Sequence, residues 1–169
     1  APTHPACSEA WRAATCSVAS TQGTFEGDGA TLKEAAREWI ETREAAEGKY
    51  GHINTWDVSE VTKMYVWPGG MFANSDFNDD IGCWDTSSVT SMDHMFEHAR
   101  KFNADIGCWD TGQVIEMDRM FKYAEGFDQD LSGWNVGKVM NTDDCFYPIP
   151  SYCETWTYGS HEWAANSGF

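Results

Sequence analysis

The stretch His94-Met95-Phe96-Glu97-His98 matches the H-x-x-E-H pattern in which two histidines hold zinc and a glutamate acts as base. On a helix His94 and His98 would lie one turn apart on one face. Oxygen chemistry has two further candidates. Asp57, Asp85 and Asp110, with Asn135 in the fourth place, each follow a tryptophan. Stacked at strand spacing, those carboxylates would either invite a hard cation such as calcium or form an acidic docking face. Asn74, Asp76, Asn78, Asp79 and Asp80 loosely resemble a calcium loop, although the glycine of an EF-hand is missing. No phosphate-binding glycine loop, dinucleotide fingerprint or nucleophile elbow occurs.

Composition narrows the classes. The 169 residues carry 11 basic and 27 acidic side chains, a net charge of −16. That charge repels phosphate and argues against nucleic acid and anionic membranes. No apolar run reaches the roughly 18 residues of a membrane span. With 41% hydrophobic residues the chain can bury a core, so whole-chain disorder is not expected. Six cysteines without a zinc-type C-x-x-C pair favour disulfides and an oxidising compartment. The chain begins Ala1-Pro2-Thr3, which we read as a mature protein whose targeting peptide has been removed. It contains no Asn-x-Ser/Thr acceptor for N-glycans.

The elements that must position these residues emerge from the nine tryptophans. Trp56, Trp84, Trp109 and Trp134 follow one another at intervals of 28, 25 and 25 residues. Each is followed five places on by Val61, Val89, Val114 or Val139, and then by Met64, Met92, Met117 or Thr142. Met71-Phe72, Met95-Phe96, Met120-Phe121 and Cys145-Phe146 are the next anchors, and Phe77, Phe102 and Phe127 come after them. A fixed period of this size predicts a solenoid. Alternation around each Trp predicts a short strand, with the Trp on one face beside Val58, Thr86, Thr111 or Val136. The three-and-four spacing of Val89, Met92, Met95, Phe96 and Ala99 predicts a short helix, capped by Ser87 or Ser88.

The expected architecture is therefore an α/β solenoid: four strand–turn–short-helix coils with a parallel strand ladder. Residues 31–51 form its capping helix, with Thr31 and Glu34 as a capping box and Gly48 as a stop. Residues 52–146 hold the four copies, the first interrupted near 65–71 by Trp67-Pro68-Gly69-Gly70. Residues 1–30 form an extension, and 147–169, with Tyr152, Trp156, Tyr158, Trp163 and Phe169, an aromatic cap. Stacked copies would bring Cys83 beside Cys108, because strands lie about 4.7–4.9 Å apart, within reach of a disulfide. Cys7–Cys16 and Cys145–Cys153 are the expected short-loop staples.

The stretch from Tyr50 to Met64 and the copy Trp84-Asp-Thr-Ser-Ser-Val-Thr-Ser-Met92, with Met95-Phe96 and Phe102-Asn103, resemble the BspA-like leucine-rich repeat family, described also as a bacterial-surface-protein 26-residue repeat. The resemblance covers roughly residues 31–146. It implies a secreted or surface repeat domain of bacteria and protists, algae included, with adhesion and protein binding as its usual roles and no shared catalytic residues.

Each candidate has a plainer reading, and we take it. The tryptophans form a core spine rather than a sugar-stacking strip. Each Asp after a Trp caps its own turn rather than binding metal. Met95 and Phe96 inside the H-x-x-E-H match are repeat anchors, and the next copy places Arg119, Lys122 and Tyr123 at the pattern's other positions. The expected protein is non-enzymatic and without a cofactor. It presents a rigid acidic surface to a protein or glycan partner, secreted or at the cell surface. Trp67, Pro68, Gly69, Trp156, Trp163, Asp85 and Asp110 are the expected contacts. The alternative is an extrinsic structural subunit in an oxidising organelle lumen, such as a thylakoid lumen, within a larger assembly such as an algal photosystem. A calcium-dependent binder and a zinc hydrolase are the remote alternatives.

Overall fold

The computed structural model describes Cys16 and residues 23–66 and 69–147. Strand β1 (Thr24–Gly27) pairs in parallel with β2 (Asp57–Val61), placing Thr24 opposite Asp57, Glu26 opposite Glu60 and Gly27 opposite Val61. Parallel strands need a crossover. Here it runs through helices α1 (Ala30–Glu41) and α2 (Arg43–Tyr50) and a 3-10 turn at Ile53–Thr55.

Helix α1 forms because Leu32, Ala35, Ala36 and Trp39 recur at helical spacing and bury one stripe. The expected single helix is instead two. Thr42 leaves helical geometry at φ −143°, and both its N–H and its hydroxyl turn back to Glu38 O, at 2.7 and 3.1 Å. This satisfies the last turn's carbonyl and ends the helix there. Gly29, at φ 80°, precedes the first turn in place of a Thr31 cap. Gly51, at φ 75°, ends α2 three residues beyond the expected stop at Gly48.

The α/β solenoid expected from the repeat is not what the chain forms. Among the described residues the regular elements are two α-helices, one 3-10 turn and a two-stranded sheet. The first copy contributes β2 and the 3-10 turn, and beyond them the copies are joined by single parallel bridges, Lys63 to Ser91, Ser91 to Glu116 and Glu116 to Asn141, with no α-helix among their described residues.

The backbone supplies the reason. His94 and His98 in one copy, and Arg119 and Tyr123 in the next, sit at φ between 52° and 59°, a left-handed conformation that no α-helix accommodates. The N–H groups of Met92, His94, Phe96 and His98 donate forward to the carbonyls of Glu116, Asp118, Met120 and Lys122 at 2.7–2.9 Å. Those of Met95, Glu97 and Ala99 turn back three residues to Met92, His94 and Phe96 at 3.0–3.2 Å. Every second amide is thus spent on the next copy, and the i→i−4 bonds of a helix cannot form.

Equivalent side chains of successive copies nevertheless lie over one another. The indoles of Trp84 and Trp109 stack at 6.4 Å and 1°, and those of Trp109 and Trp134 at 6.4 Å and 4°. Phe72, Phe96, Phe121 and Phe146 follow at 5.2–5.7 Å. Each buried indole N–H needs an acceptor. Trp84, Trp109 and Trp134 donate to the carbonyls of Ile53, Ile81 and Ile106 at 2.8–3.0 Å. The four repeat tryptophans, Trp56, Trp84, Trp109 and Trp134, are core, not a surface strip.

Cys83 is bonded to Cys16, with Cα atoms 5.4 Å apart, so neither Cys83–Cys108 nor Cys7–Cys16 forms. Residues in register on neighbouring copies carry Cβ vectors that run parallel rather than toward each other, and spacing alone cannot aim two sulfurs. Cys108 is itself disulfide-bonded. Cys145 is buried, and its expected partner Cys153, like Cys7, lies outside the described residues.

Candidate interaction surface

The aspartates after each Trp are fixed by their own backbone. Asp57 Oδ1 accepts from Ser59 N–H at 3.1 Å and from its hydroxyl at 2.7 Å. Asp85 accepts from Ser87 N–H at 3.0 Å, Asp110 from Gly112 at 2.9 Å and Asn135 from Gly137 at 3.1 Å. Each bond stabilises a tight turn, which is why a side-chain carbonyl suffices and Asn135 serves as well as Asp.

A second acidic column has the same construction. Asp80, Asp105 and Asp130 accept from Gly82, Gly107 and Ser132 at 2.9–3.0 Å. Its signal in the sequence is Asp-x-Gly or Asp-x-Ser, with the Asp four residues before Trp84, Trp109 and Trp134. At Gly82 and Gly107 an added Cβ would lie 2.6 Å from the carbonyls of Asp105 and Asp130, so these turns press directly on the next copy. A third column links copies outright: Asn78 Oδ1 accepts from Asn103 N–H at 2.6 Å, and Asn103 Oδ1 from Asp128 N–H at 2.9 Å.

The loop resembling a calcium site does not converge. Asp79 accepts from the Trp39 indole at 3.0 Å and pairs with Arg43, whereas Asp76 pairs with Lys101 at 2.6 Å. Asn74, at φ 57°, lines a shallow hollow with Ser75, Asp76, His98 and Arg100.

The two histidines also part company, because the left-handed residues abolish the shared helical face. His94 Nδ1 lies 2.7 Å from Glu97 Oε2 and its Nε2 3.5 Å from Asp118 Oδ2, with the Tyr65 ring 5.5 Å away. His98 stacks instead on Tyr123 at 4.6 Å. Among the described residues no three His, Cys, Asp or Glu side chains are grouped to hold a metal.

Two carboxyls, those of Asp93 and Asp118, lie where the second and third copies meet. Burial pushes the Asp118 carboxyl above its usual range; Asp143 and Asp144 add to this, and Arg119 and His94 oppose it. Burial likewise raises Asp93, whose Oδ1 accepts from Asp118 N–H at 2.8 Å.

Of the expected contacts, Asp85 is exposed, and Asp110 and Gly69 are half-buried. Trp67, Pro68, Trp156 and Trp163 lie outside the described residues. Among those described, no helix is long and apolar enough to cross a membrane.

A protein built from short sequence repeats, with a stacked aromatic core and turns capped by aspartate, is the class these features define. The chain belongs to the family described as "Mycoplasma protein of unknown function, DUF285", whose model matches residues 37–157. No curated protein and no solved structure matches it.

Proposed function

We propose that this chain is a non-enzymatic binding module, secreted or displayed at a cell surface, that offers a rigid acidic face to a cationic segment of a partner protein. One observation carries the reading: Asp80, Asp85, Asp105 and Asp110 each commit an oxygen to a backbone N–H two residues on, so their charges are held in place. A partner meeting fixed charges does not have to order them, and preorganisation of this kind favours binding. The net charge of −16 adds long-range attraction for the same class of partner. The resemblance to BspA-like repeats supports a surface role, and the Cys16–Cys83 disulfide is compatible with an oxidising compartment.

The probe is a deca-lysine peptide, with binding followed by interferometry. Replacing Asp80, Asp85, Asp105 and Asp110 by Asn keeps the turn-capping oxygens and removes four charges. Replacing the exposed Glu26, Glu34, Glu41 and Glu44 by Gln removes four charges from β1, α1 and α2 instead. At least tenfold weaker binding for the first variant, with less than threefold change for the second, supports the reading. Equal losses would reduce it to unspecific attraction by net charge.

A further inference from the structure

The chain has seven methionines, and burial divides them sharply. Met64, Met71, Met92, Met95, Met117 and Met120 belong to the core, none more than 4% exposed, whereas Met140 is 82% exposed. We propose that Met140 is an oxidation site: a hydroperoxide converts its thioether to the sulfoxide, while the core methionines and the fold stay as they were.

The repeat explains why this methionine faces water. Backbone N–H groups of Thr62, Thr90, Ile115 and Met140 donate to the carbonyls of Gly27, Thr62, Thr90 and Ile115 at 2.8–2.9 Å, which aligns these residues in one column. The residue before each of the last three, Val89, Val114 or Val139, packs against the core, so alternation turns the column outward. In the first two copies the side chain still serves the stack: the hydroxyls of Thr62 and Thr90 donate to Gly27 O and Thr62 O at 2.8 and 3.0 Å. Ile115 and Met140 carry no such donor. Met140 therefore holds a sulfur at a position where the fold asks only for backbone bonds.

The chemistry balances with the peroxide alone. A sulfur lone pair attacks one peroxide oxygen, the S–O bond forms as the O–O bond breaks, and the departing oxygen takes up a proton to leave as water when the oxidant is hydrogen peroxide. Sulfur loses two electrons and the peroxide gains them. A thioether has no proton to shed, so access rather than ionisation separates Met140 from the others. Sulfoxide is polar and would disrupt a core, but at an exposed position it is simply hydrated. Thiols compete weakly: Cys16, Cys83 and Cys108 are disulfide-bonded, and Cys145 is buried. Methionine sulfoxide reductases reverse the step, so the mark can be erased. The inference holds whether or not the acidic columns bind a partner.

The test treats the whole chain, disulfides intact, with excess hydrogen peroxide and follows each methionine by peptide mapping and mass spectrometry. Met140 should gain its oxygen at least tenfold faster than any core methionine, and the chain oxidised there should melt at the same temperature as untreated protein. In guanidinium chloride all seven should react within threefold of one another, because unfolding removes the burial that separates them. Over the time in which wild type takes up one oxygen, no methionine of Met140→Leu should be oxidised. A core methionine reacting as fast as Met140 in the native chain overturns the proposal, and so does a lowered melting temperature after oxidation at Met140 alone. Selectivity that persists in guanidinium chloride would assign the preference to local sequence rather than exposure, and would overturn it equally.

Discussion

The indole N–H of Trp109 donates to the carbonyl of Ile81, 28 residues earlier, at 3.0 Å in a fully buried position. The same bond runs from Trp84 to Ile53 and from Trp134 to Ile106, so each tryptophan ties its copy to the preceding one while filling the core. Trp109→Phe keeps an aromatic ring but deletes the indole donor, leaving Ile81 O with only the Trp84 N–H at 3.1 Å. Losing one buried hydrogen bond costs about 0.5–1.5 kcal/mol, and the lost volume adds to this. We expect Trp109→Phe to lower unfolding free energy by roughly 2–4 kcal/mol in urea titrations. Trp134→Phe should cost less, because Trp134 retains 8% exposure and so less of its ring is lost from the core. Equal losses at the two positions would contradict this account of the spine.

The turn-capping aspartates give a prediction in which charge and hydrogen bonding separate. Asp85 Oδ1 is an acceptor for Ser87 N–H, and the amide of Asn135 does the same work in the last copy. Asp85→Asn should therefore change stability by less than about 0.5 kcal/mol, as surface substitutions usually do. Asp85→Ala, which removes the acceptor, should cost about 1 kcal/mol, the usual magnitude for a lost side-chain cap. Thermal melts of the two variants decide it: an Ala variant as stable as the Asn variant would mean that the capping bond is dispensable.

These two groups also mark what could be read from the sequence. Trp56, Trp84, Trp109 and Trp134 share alternation with Val58, Thr86, Thr111 and Val136, and that pattern reports burial directly. Asp followed two residues later by Ser or Gly is a local turn pattern, legible without the fold. The helices expected after each Val were not legible as absent. His94, His98, Arg119 and Tyr123 are not glycines or asparagines, so nothing local announced their left-handed geometry. They are held there by amides paired with the next copy, a long-range cause that periodicity cannot see. The same holds for Cys83, whose bond to Cys16 spans 67 residues. A short spacing suggested Cys108, but the partner is Cys16, far away in sequence, which spacing within the repeat cannot identify.

That disulfide should be a large contributor to stability. Closing a loop of 67 residues restricts the unfolded chain by about 4 kcal/mol on chain-entropy grounds. Paired Cys16→Ser and Cys83→Ser changes should lower the urea midpoint accordingly, with the m-value rising as the unfolded state expands. Peptide mapping without reductant should recover Cys16 and Cys83 in one linked fragment. A fragment joining Cys83 to Cys108 would overturn the arrangement described above.

The carboxyls of Asp93 and Asp118 give stability a direction in pH. Burial raises both above the ordinary value near 3.9 that each has in the unfolded chain. In the window between the unfolded and folded values, the native state keeps a proton that the unfolded state has already lost. Stability therefore falls as pH rises through that window, and the penalty is fully present once both states are ionised. Other carboxylates titrate in the same range, so the informative quantity is the difference between wild type and Asp118→Asn. Asn cannot ionise, which relieves the buried charge while keeping an oxygen in place. Measured by urea denaturation from pH 4 to pH 7, the variant should gain stability relative to wild type as pH rises and be at least as stable at pH 7. A difference that stays flat, or that turns against the variant toward pH 7, would show that His94 and Arg119, the latter 3.9 Å from Asp118 Oδ2, compensate the Asp118 charge fully.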